Sequence, residues 1–291
     1  MNTASLSAPS RPSLGARLLA NGFVRTLLGI LSVLLPMFLV LGLSELVPKP
    51  YRTGWPLLLA ACAIVAGYRL YVRKIEKREV SELTLAGAGR ELGAGLGLGA
   101  LLMVGCSVPL LAGGIYTYTG TEHWSALFKP FPEQVFVAFM EEILFRAVLY
   151  RLLEKAWGTT AALVVSTLLF VAAHLPSEHI SVLGMLATAA ASAALSAGYL
   201  ATRRLWVPVG MHFAWNYLFD AVFSIPVSGH AAHGWIQVTA SGPEWLSGGA
   251  YGIEGSIVTV LAWGAAAVVL LRAARRKGQW QLKPGAARVP S

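Results

Sequence analysis

The stretch Phe-Met-Glu-Glu-Ile-Leu-Phe-Arg (139–146) sets two glutamates and an arginine inside an apolar run that includes Val135, Phe136, Val137, Ile143, Leu144 and Phe145. Two further pieces do the same with other polar groups: Phe-Val-Ala-Ala-His (170–174) and Met-His-Phe-Ala-Trp-Asn (211–216). A charged side chain near the centre of a bilayer costs roughly 2.5–3.5 kcal/mol even on the most lenient insertion scale. Groups placed there at that cost are expected to face one another or a water-filled cavity, and a catalytic site is the leading reason to keep them.

On either side of these pieces the chain is apolar almost end to end. Of its 291 residues 56% are hydrophobic and 13% charged, with a mean hydropathy of +0.62. An ordinary soluble domain carries about 25% charged residues, so this composition points to the membrane. Crossing the hydrocarbon core takes about 20 mostly apolar residues per helix. Candidate spans fall at 24–47, 55–72, 93–116, 133–153, 159–176, 180–200, 205–224 and 250–272. The expected fold is therefore an all-α polytopic membrane protein of about eight transmembrane helices with an intramembrane active-site cavity. Residues 1–22 read as a disordered cytoplasmic tail, 23–272 as a single transmembrane domain with its motif-bearing core at 133–224, and 273–291 as a basic cytoplasmic tail. The first apolar run is too long for a signal-peptide core and reads as a retained helix.

Charge placement tests the span count independently, because cytoplasmic loops collect Lys and Arg. With the N-terminus in the cytoplasm, the inner segments hold 19 basic residues, against only Lys49, Arg52 and Lys129 outside, with Arg146 counted as intramembrane. The split fits a multi-pass protein of the cell membrane with both termini cytoplasmic. It also explains the formal charge of +9 as a topology signal at the inner leaflet, with the tail anchored to anionic lipid, and no nucleic-acid partner is implied.

Other features are structural in character. Cys62 and Cys106 lie in apolar runs and suggest buried small residues. The polar stretch 73–91 suits an amphipathic helix on the membrane surface, with Val80, Leu83 and Leu85 as its apolar face. Gly93, Gly95, Gly97 and Gly99 permit close helix packing, and no strand precedes them to make a phosphate loop. Residues 225–249 read as a Gly/Ser/Pro-rich outer loop.

Glu142 and Arg146 stand four apart, the spacing of a same-face ion pair, whereas Glu141 points about 100° away around the helix. The two glutamates are thus expected to take different jobs, one held by the arginine and the other free to take up protons, as a general base must. Phe170, one turn before His174, can wall the site. His212 and Asn216 share a face at i and i+4, as two metal ligands or as two donors aimed at a developing oxyanion.

Taken together, Glu-Glu-x-x-x-Arg, Phe-x-x-x-His and His-x-x-x-Asn on successive helices resemble the CPBP family of intramembrane proteases, which includes the type II CAAX prenyl endopeptidases and the bacteriocin-processing and self-immunity proteins. The Ile-Pro-Val-Ser-Gly at 225–229 is similar as well. The resemblance implies that Glu141 and His174 activate a water for attack on a peptide carbonyl. It implies that His212 and Asn216 stabilise the oxyanion or help hold a metal, and that Glu142 and Arg146 complete the first motif structurally. The implied partner is a membrane-associated peptide or protein substrate, cut near its terminus. A true CAAX enzyme takes prenylated substrates, while a bacterial relative processes secreted peptides or C-terminal sorting segments; the Ala/Gly/Arg-rich composition points to a prokaryote.

Members of this family are often named metalloproteases, and a catalytic zinc usually keeps three protein ligands and an open position. Glu141 or Glu142, His174 and His212 are the ligands available to it. There is no His-Glu-x-x-His, and the same residues can activate water without metal, so both mechanisms stand open. A serine mechanism lacks its Gly-x-Ser-x-Gly, and a two-aspartate mechanism finds only Asp220. Two readings of other classes remain beside the peptidase: a non-catalytic immunity or peptide-binding protein, and a proton-coupled transporter, against which the absence of an internal repeat counts. Depth raises a difficulty. Counted from the outer span boundaries, Glu141 lies about 12 Å deep, His174 much shallower and His212 in the inner half, so a shared site requires tilted or broken helices.

Overall fold

The computed structural model describes residue 19 and residues 21–283; most of the expected N-terminal tail and the last eight residues lie outside the described residues. The chain is built of α1 (Gly22–Ser44), α2 (Trp55–Tyr71, continued by a π-helical Val72–Glu76) and α3 (Ala88–Ala112). Strand β1 (Tyr116–Thr121) and α4 (Phe131–Glu142) follow, and a π-helical Ile143–Tyr150 leads into α5 (Arg151–His174). Then come α6 (Val182–Thr202), α7 (Trp206–Tyr217, continued by a π-helical Leu218–Val222), β2 (Ile236–Ala240), the single turn α8 (Glu244–Ser247) and α9 (Ile257–Arg276).

Among the described residues, six helical segments are long and apolar enough to cross a membrane. The count differs from the expected eight for two physical reasons. Trp124–His174, 51 residues long, is broken at Gly158, whose φ of 81° and ψ of 171° no helix accommodates. The chain folds back there, since the rings of Phe145 and Phe170 meet at 4.8 Å edge to face. This segment is thus a hairpin of two arms. The other difference is Trp206–Val222, only about 25 Å long at 1.5 Å per residue and so short of a roughly 30 Å core. The protein is an all-α polytopic membrane protein, with a two-stranded antiparallel β1–β2 ribbon as its small exception.

That ribbon was hidden in a stretch read as loop. Tyr116 pairs with Ala240 and Tyr118 with Val238, with an irregularity between Tyr118 and Gly120. Helix α3 ends at Ala112, short of the expected 116, where Gly113 and Gly114 turn the chain into β1. The amphipathic surface helix expected over 73–91 does not form. Lys77 adopts the left-handed region (φ 54°) and stops the helix, and Ser81–Leu83 makes only a short 3-10 turn. Glu76 and Glu82 turn inward instead. Glu76 pairs with Arg78 at 2.7 Å and Arg151 at 2.8 Å, and Glu82 with Arg78 at 2.8 Å.

The segments that the charge pattern assigns to one side come together as one layer. Glu154 is buried there, pairing with Arg203 and accepting hydrogen bonds from Thr159 at 2.6 Å and Tyr150 at 3.1 Å. Arg204 pairs with Glu91 at 3.2 Å. Beyond α9, the Thr159 amide donates to the Gln281 carbonyl at 2.9 Å, and Arg275 stacks on Trp280 at 4.1 Å, so the described part of the basic tail packs back on the bundle. The opposite ends of the helices carry the ribbon, with Tyr217 donating to the Leu127 carbonyl at 3.0 Å and the Glu122 amide to that of Trp235 at 2.7 Å.

Helices α3 and α7 cross at close range, and only half of the glycine series serves that crossing. A Cβ on Gly99 would stand 2.6 Å from the Met211 carbonyl oxygen and 2.8 Å from Ala214 Cβ, and one on Gly95 would meet the backbone of Val207, Gly210 and Met211. Gly210 is matched from the other side against Leu92 and Gly95. Gly93 and Gly97 face open space, so the packing period is four residues, the small-xxx-small spacing. Overpacking such a contact costs up to about 3 kcal/mol. Gly99→Leu is therefore expected to lower the unfolding temperature of the detergent-solubilised protein by several degrees, and Gly97→Leu to leave it within error, measured side by side in one detergent.

Candidate active site

Helix α4 delivers Glu141 and Glu142 in its last turn, and the π-helical stretch that follows delivers Arg146. The wider turn of a π-helix is a frequent accompaniment of functional sites. Glu142 Oε1 and Arg146 lie 3.0 Å apart, both side chains wholly buried, as the four-residue spacing predicted. The guanidinium also donates to the Ser192 carbonyl at 3.4 Å and lies 4.7 Å above the Phe170 ring. Phe170 therefore does more than wall the site. Its π-face caps the arginine and gives a buried cation a second partner.

The same Glu142 oxygen takes a second hydrogen bond, from His212 Nδ1 at 2.8 Å. This bond, 70 residues long in sequence, ties α7 to α4 and was not visible in either motif alone. With Nδ1–H given to the carboxylate, the ring presents Nε2 towards the cavity. Glu141 Oε2 stands 3.9 Å from Nε2, too far for a hydrogen bond, and has no partner among the described residues. The adjacent glutamates are thus differently placed: Glu142 gives Oε1 to both Arg146 and His212 and keeps Oε2 unpartnered, away from the cavity, whereas Glu141 lines the cavity.

Glu141, Phe170, His174, His212 and Asn216 all line one cavity of about 460 Å³. The difficulty of depth disappears once the helices are measured from their actual turns. Across the hairpin at Gly158, Phe145 meets Phe170, and the same register one turn further places Glu141 opposite His174. Along α7 and its extension, His212 lies ten residues before Val222, just as Glu141 lies ten residues after Phe131, about 15 Å in each case. The expectation that His174 is shallow and His212 deep came from taking the end of the 159–176 span as the outer boundary and from making α7 a full-length span. His174 Nδ1 bonds the Phe170 carbonyl at 2.8 Å, which directs its other nitrogen away from that carbonyl. Asn216, half-buried on the same face of α7 as His212, makes no side-chain hydrogen bond among the described residues.

Two further groups in this cavity, Gln134 and Glu254, escaped the sequence reading, and Asp220 entered it only as a lone aspartate. Gln134 donates to Asp220 at 2.9 Å. Glu254 accepts from Trp215 Nε1 at 3.0 Å and Ser228 at 2.5 Å, anchoring α7 to the segment before α9. Neither pairing follows a helical period. Glu254 sits in an irregular turn far along the chain, and only the fold brings it near. Among the described residues, no three of the His, Cys, Asp and Glu side chains are gathered closely enough to hold a metal. Glu141, His174 and His212 share a cavity, and the engagement of one nitrogen of each imidazole with Glu142 or Phe170 leaves Nε2 of both rings free.

Removing one partner of a buried ion pair leaves an uncompensated charge, at a cost of about 3–5 kcal/mol. Arg146→Met should therefore destabilise the protein severely, and Phe170→Leu, which removes only the ring beneath the guanidinium, more mildly. Thermal unfolding in detergent reads both, and equal losses would show that the ring rather than the charge carries the site.

Residues 123–218 match the family model described as Type II CAAX prenyl endopeptidase Rce1-like, a stretch that contains all three motifs. No curated protein and no solved structure matches the chain.

Proposed function

We propose that the Rce1-like type II CAAX prenyl endopeptidase domain at residues 123–218 makes this chain an intramembrane endopeptidase, hydrolysing a peptide bond near the terminus of a membrane-associated peptide or protein precursor. The family is one of proteases, and the protein crosses the membrane several times, so a peptide or protein substrate reached at or within the bilayer follows.

The observation that carries the reading is the unequal fate of Glu141 and Glu142. A general base must have a free lone pair within reach of a water in a cavity, and of the two glutamates only Glu141 lines the cavity. In the proposed reaction Glu141, with His174 across the hairpin, takes a proton from water as its oxygen attacks the scissile carbonyl. The carbonyl carbon becomes tetrahedral and its oxygen gains the negative charge. The Asn216 amide donates to that oxygen, and so does His212 Nε2 when protonated, a pair of fixed donors whose benefit grows as the charge develops. Collapse of the intermediate expels the amine, which leaves with the proton that Glu141 took up. Glu142 and Arg146 touch none of these atoms and act by positioning His212.

Loss of a general base costs typically ~10²–10⁴-fold in rate, and loss of one oxyanion donor ~10²–10³-fold. Cells carrying Glu141→Ala are therefore expected to accumulate an uncut precursor that the wild type processes, and Asn216→Ala to slow the same cut without abolishing it. Sequencing the terminal peptides of membrane and secreted proteins by mass spectrometry, at matched expression, reads both. An unchanged set of termini with a lost phenotype would instead make Glu141 a binding group, as in an immunity or peptide-binding protein.

A further inference from the structure

The cavity has a direction. Its lining includes Glu133 and Gln134 from the first turns of α4, Ser177 just past α5, Asp220 near the end of α7, and His230 and Glu254 from the long segment before α9. All of these lie at the same end of the bundle. The opposite ends of the same helices carry Arg151 at the start of α5, Arg203 and Arg204 just before α7, and Arg275 and Arg276 at the end of α9.

The cavity does not reach that basic end. Arg151 bridges to Glu76 at 2.8 Å and Glu82 at 3.4 Å, Arg203 to Glu154, and Arg204 to Glu91 at 3.2 Å, and the Thr159–Gln281 bond ties the C-terminal segment over the hairpin turn. None of these residues lines the cavity. Between the cavity and the basic layer stands the filled core of Ile143, Ala147, Val148 and Tyr150, all of them buried.

Cytoplasmic ends of membrane helices are the ones that collect Lys and Arg, and 16 such residues among the described ones fall at the basic end of this bundle or on the segments that continue it. We propose, resting on the peptidase reading above, that the cavity is served from the non-cytoplasmic face, so that the substrate is a peptide segment displayed on that face and not a cytosolic C-terminus. The mouth also selects by charge. Glu133, Asp220 and Glu254 stand in the lining and no Lys or Arg does, so an acidic segment meets like charge in a partly desolvated site, while a neutral or basic one does not.

Two measurements on the full chain in its own membrane test this. In a Cys62→Ser, Cys106→Ala background, Ala231→Cys at the exposed mouth and Lys74→Cys at the exposed basic end are treated with a membrane-impermeant maleimide in intact cells and after permeabilisation. The proposal expects the Ala231→Cys variant to label in intact cells and the Lys74→Cys variant only after permeabilisation. The reverse pattern, or equal labelling of both in intact cells, overturns it. The second measurement maps every precursor that persists in Glu141→Ala cells: cut sites should lie in segments displayed on the non-cytoplasmic face, poor in Asp and Glu, and cuts in cytoplasmic segments overturn the proposal. If labelling follows the proposal but no terminus changes, the peptidase reading falls while the direction of the cavity stands.

Discussion

One oxygen of a buried carboxylate organises this protein. Glu142 Oε1 accepts from Arg146 on its own helix at 3.0 Å and from His212 on α7 at 2.8 Å, and the Glu142 and Arg146 side chains are wholly buried. In an apolar interior an unpaired charge is far more costly than a paired one, because nothing screens it and nothing replaces its hydration. Each group therefore fixes the others. Arg146 requires Glu142, Ser192 and the Phe170 ring to be bearable, and His212 is oriented by the bond it gives up. The consequence reaches four helices, since α4, the far arm of the hairpin, α6 and α7 must all arrive in register for the charges to be met. Glu141 inherits a cavity position because its neighbour cannot leave the pair.

The rest of the architecture supplies that register. Gly158, in a conformation closed to side chains with a Cβ, turns the longest apolar stretch back on itself and sets Phe145 against Phe170, and with them the levels of Glu141 and His174. Gly95, Gly99 and Gly210 let α3 and α7 approach backbone to backbone, so that the short α7 is held against a longer neighbour. At the basic end, buried Glu154 and the pairs around Glu76 and Glu82 lock the helix ends, and at the other end the ribbon and Glu254 hold the long segment over the bundle. The ion-paired basic end and the cavity at the other are two results of one arrangement.

Much of this was legible in the sequence, and what was not has identifiable causes. The membrane class followed from composition, and the grouping of segments into two layers followed from the positions of Lys and Arg, because both are properties of the solvent that each segment meets. The motif spacings correctly foretold that Glu142 and Arg146 pair and that Glu141 turns elsewhere, since a helical period is a local rule. The bond from His212 to Glu142 was out of reach, being a contact between helices 70 residues apart. Phe170 was read as a wall when it is also the partner of Arg146, for the same reason. Depth was misjudged because apolar length does not reveal how far each helix end reaches relative to its neighbours, and the surface helix over 73–91 failed because its glutamates turn inward to pair with Arg78 and Arg151. Four glycines looked alike, and only the crossing with α7 distinguishes Gly95 and Gly99 from their neighbours.

The central claim is that two adjacent glutamates of the same sequence motif do different things, one holding the site together and the other left free within it. The most direct test is the unfolding temperature of the purified protein in detergent for Glu142→Gln and Glu141→Gln, each an isosteric loss of one charge. The account predicts that Glu142→Gln unfolds several degrees below wild type, because Arg146 is left buried without its counter-charge, while Glu141→Gln unfolds at the wild-type temperature or above it. A Glu142→Gln variant as stable as wild type, or a Glu141→Gln variant that loses as much, would contradict it.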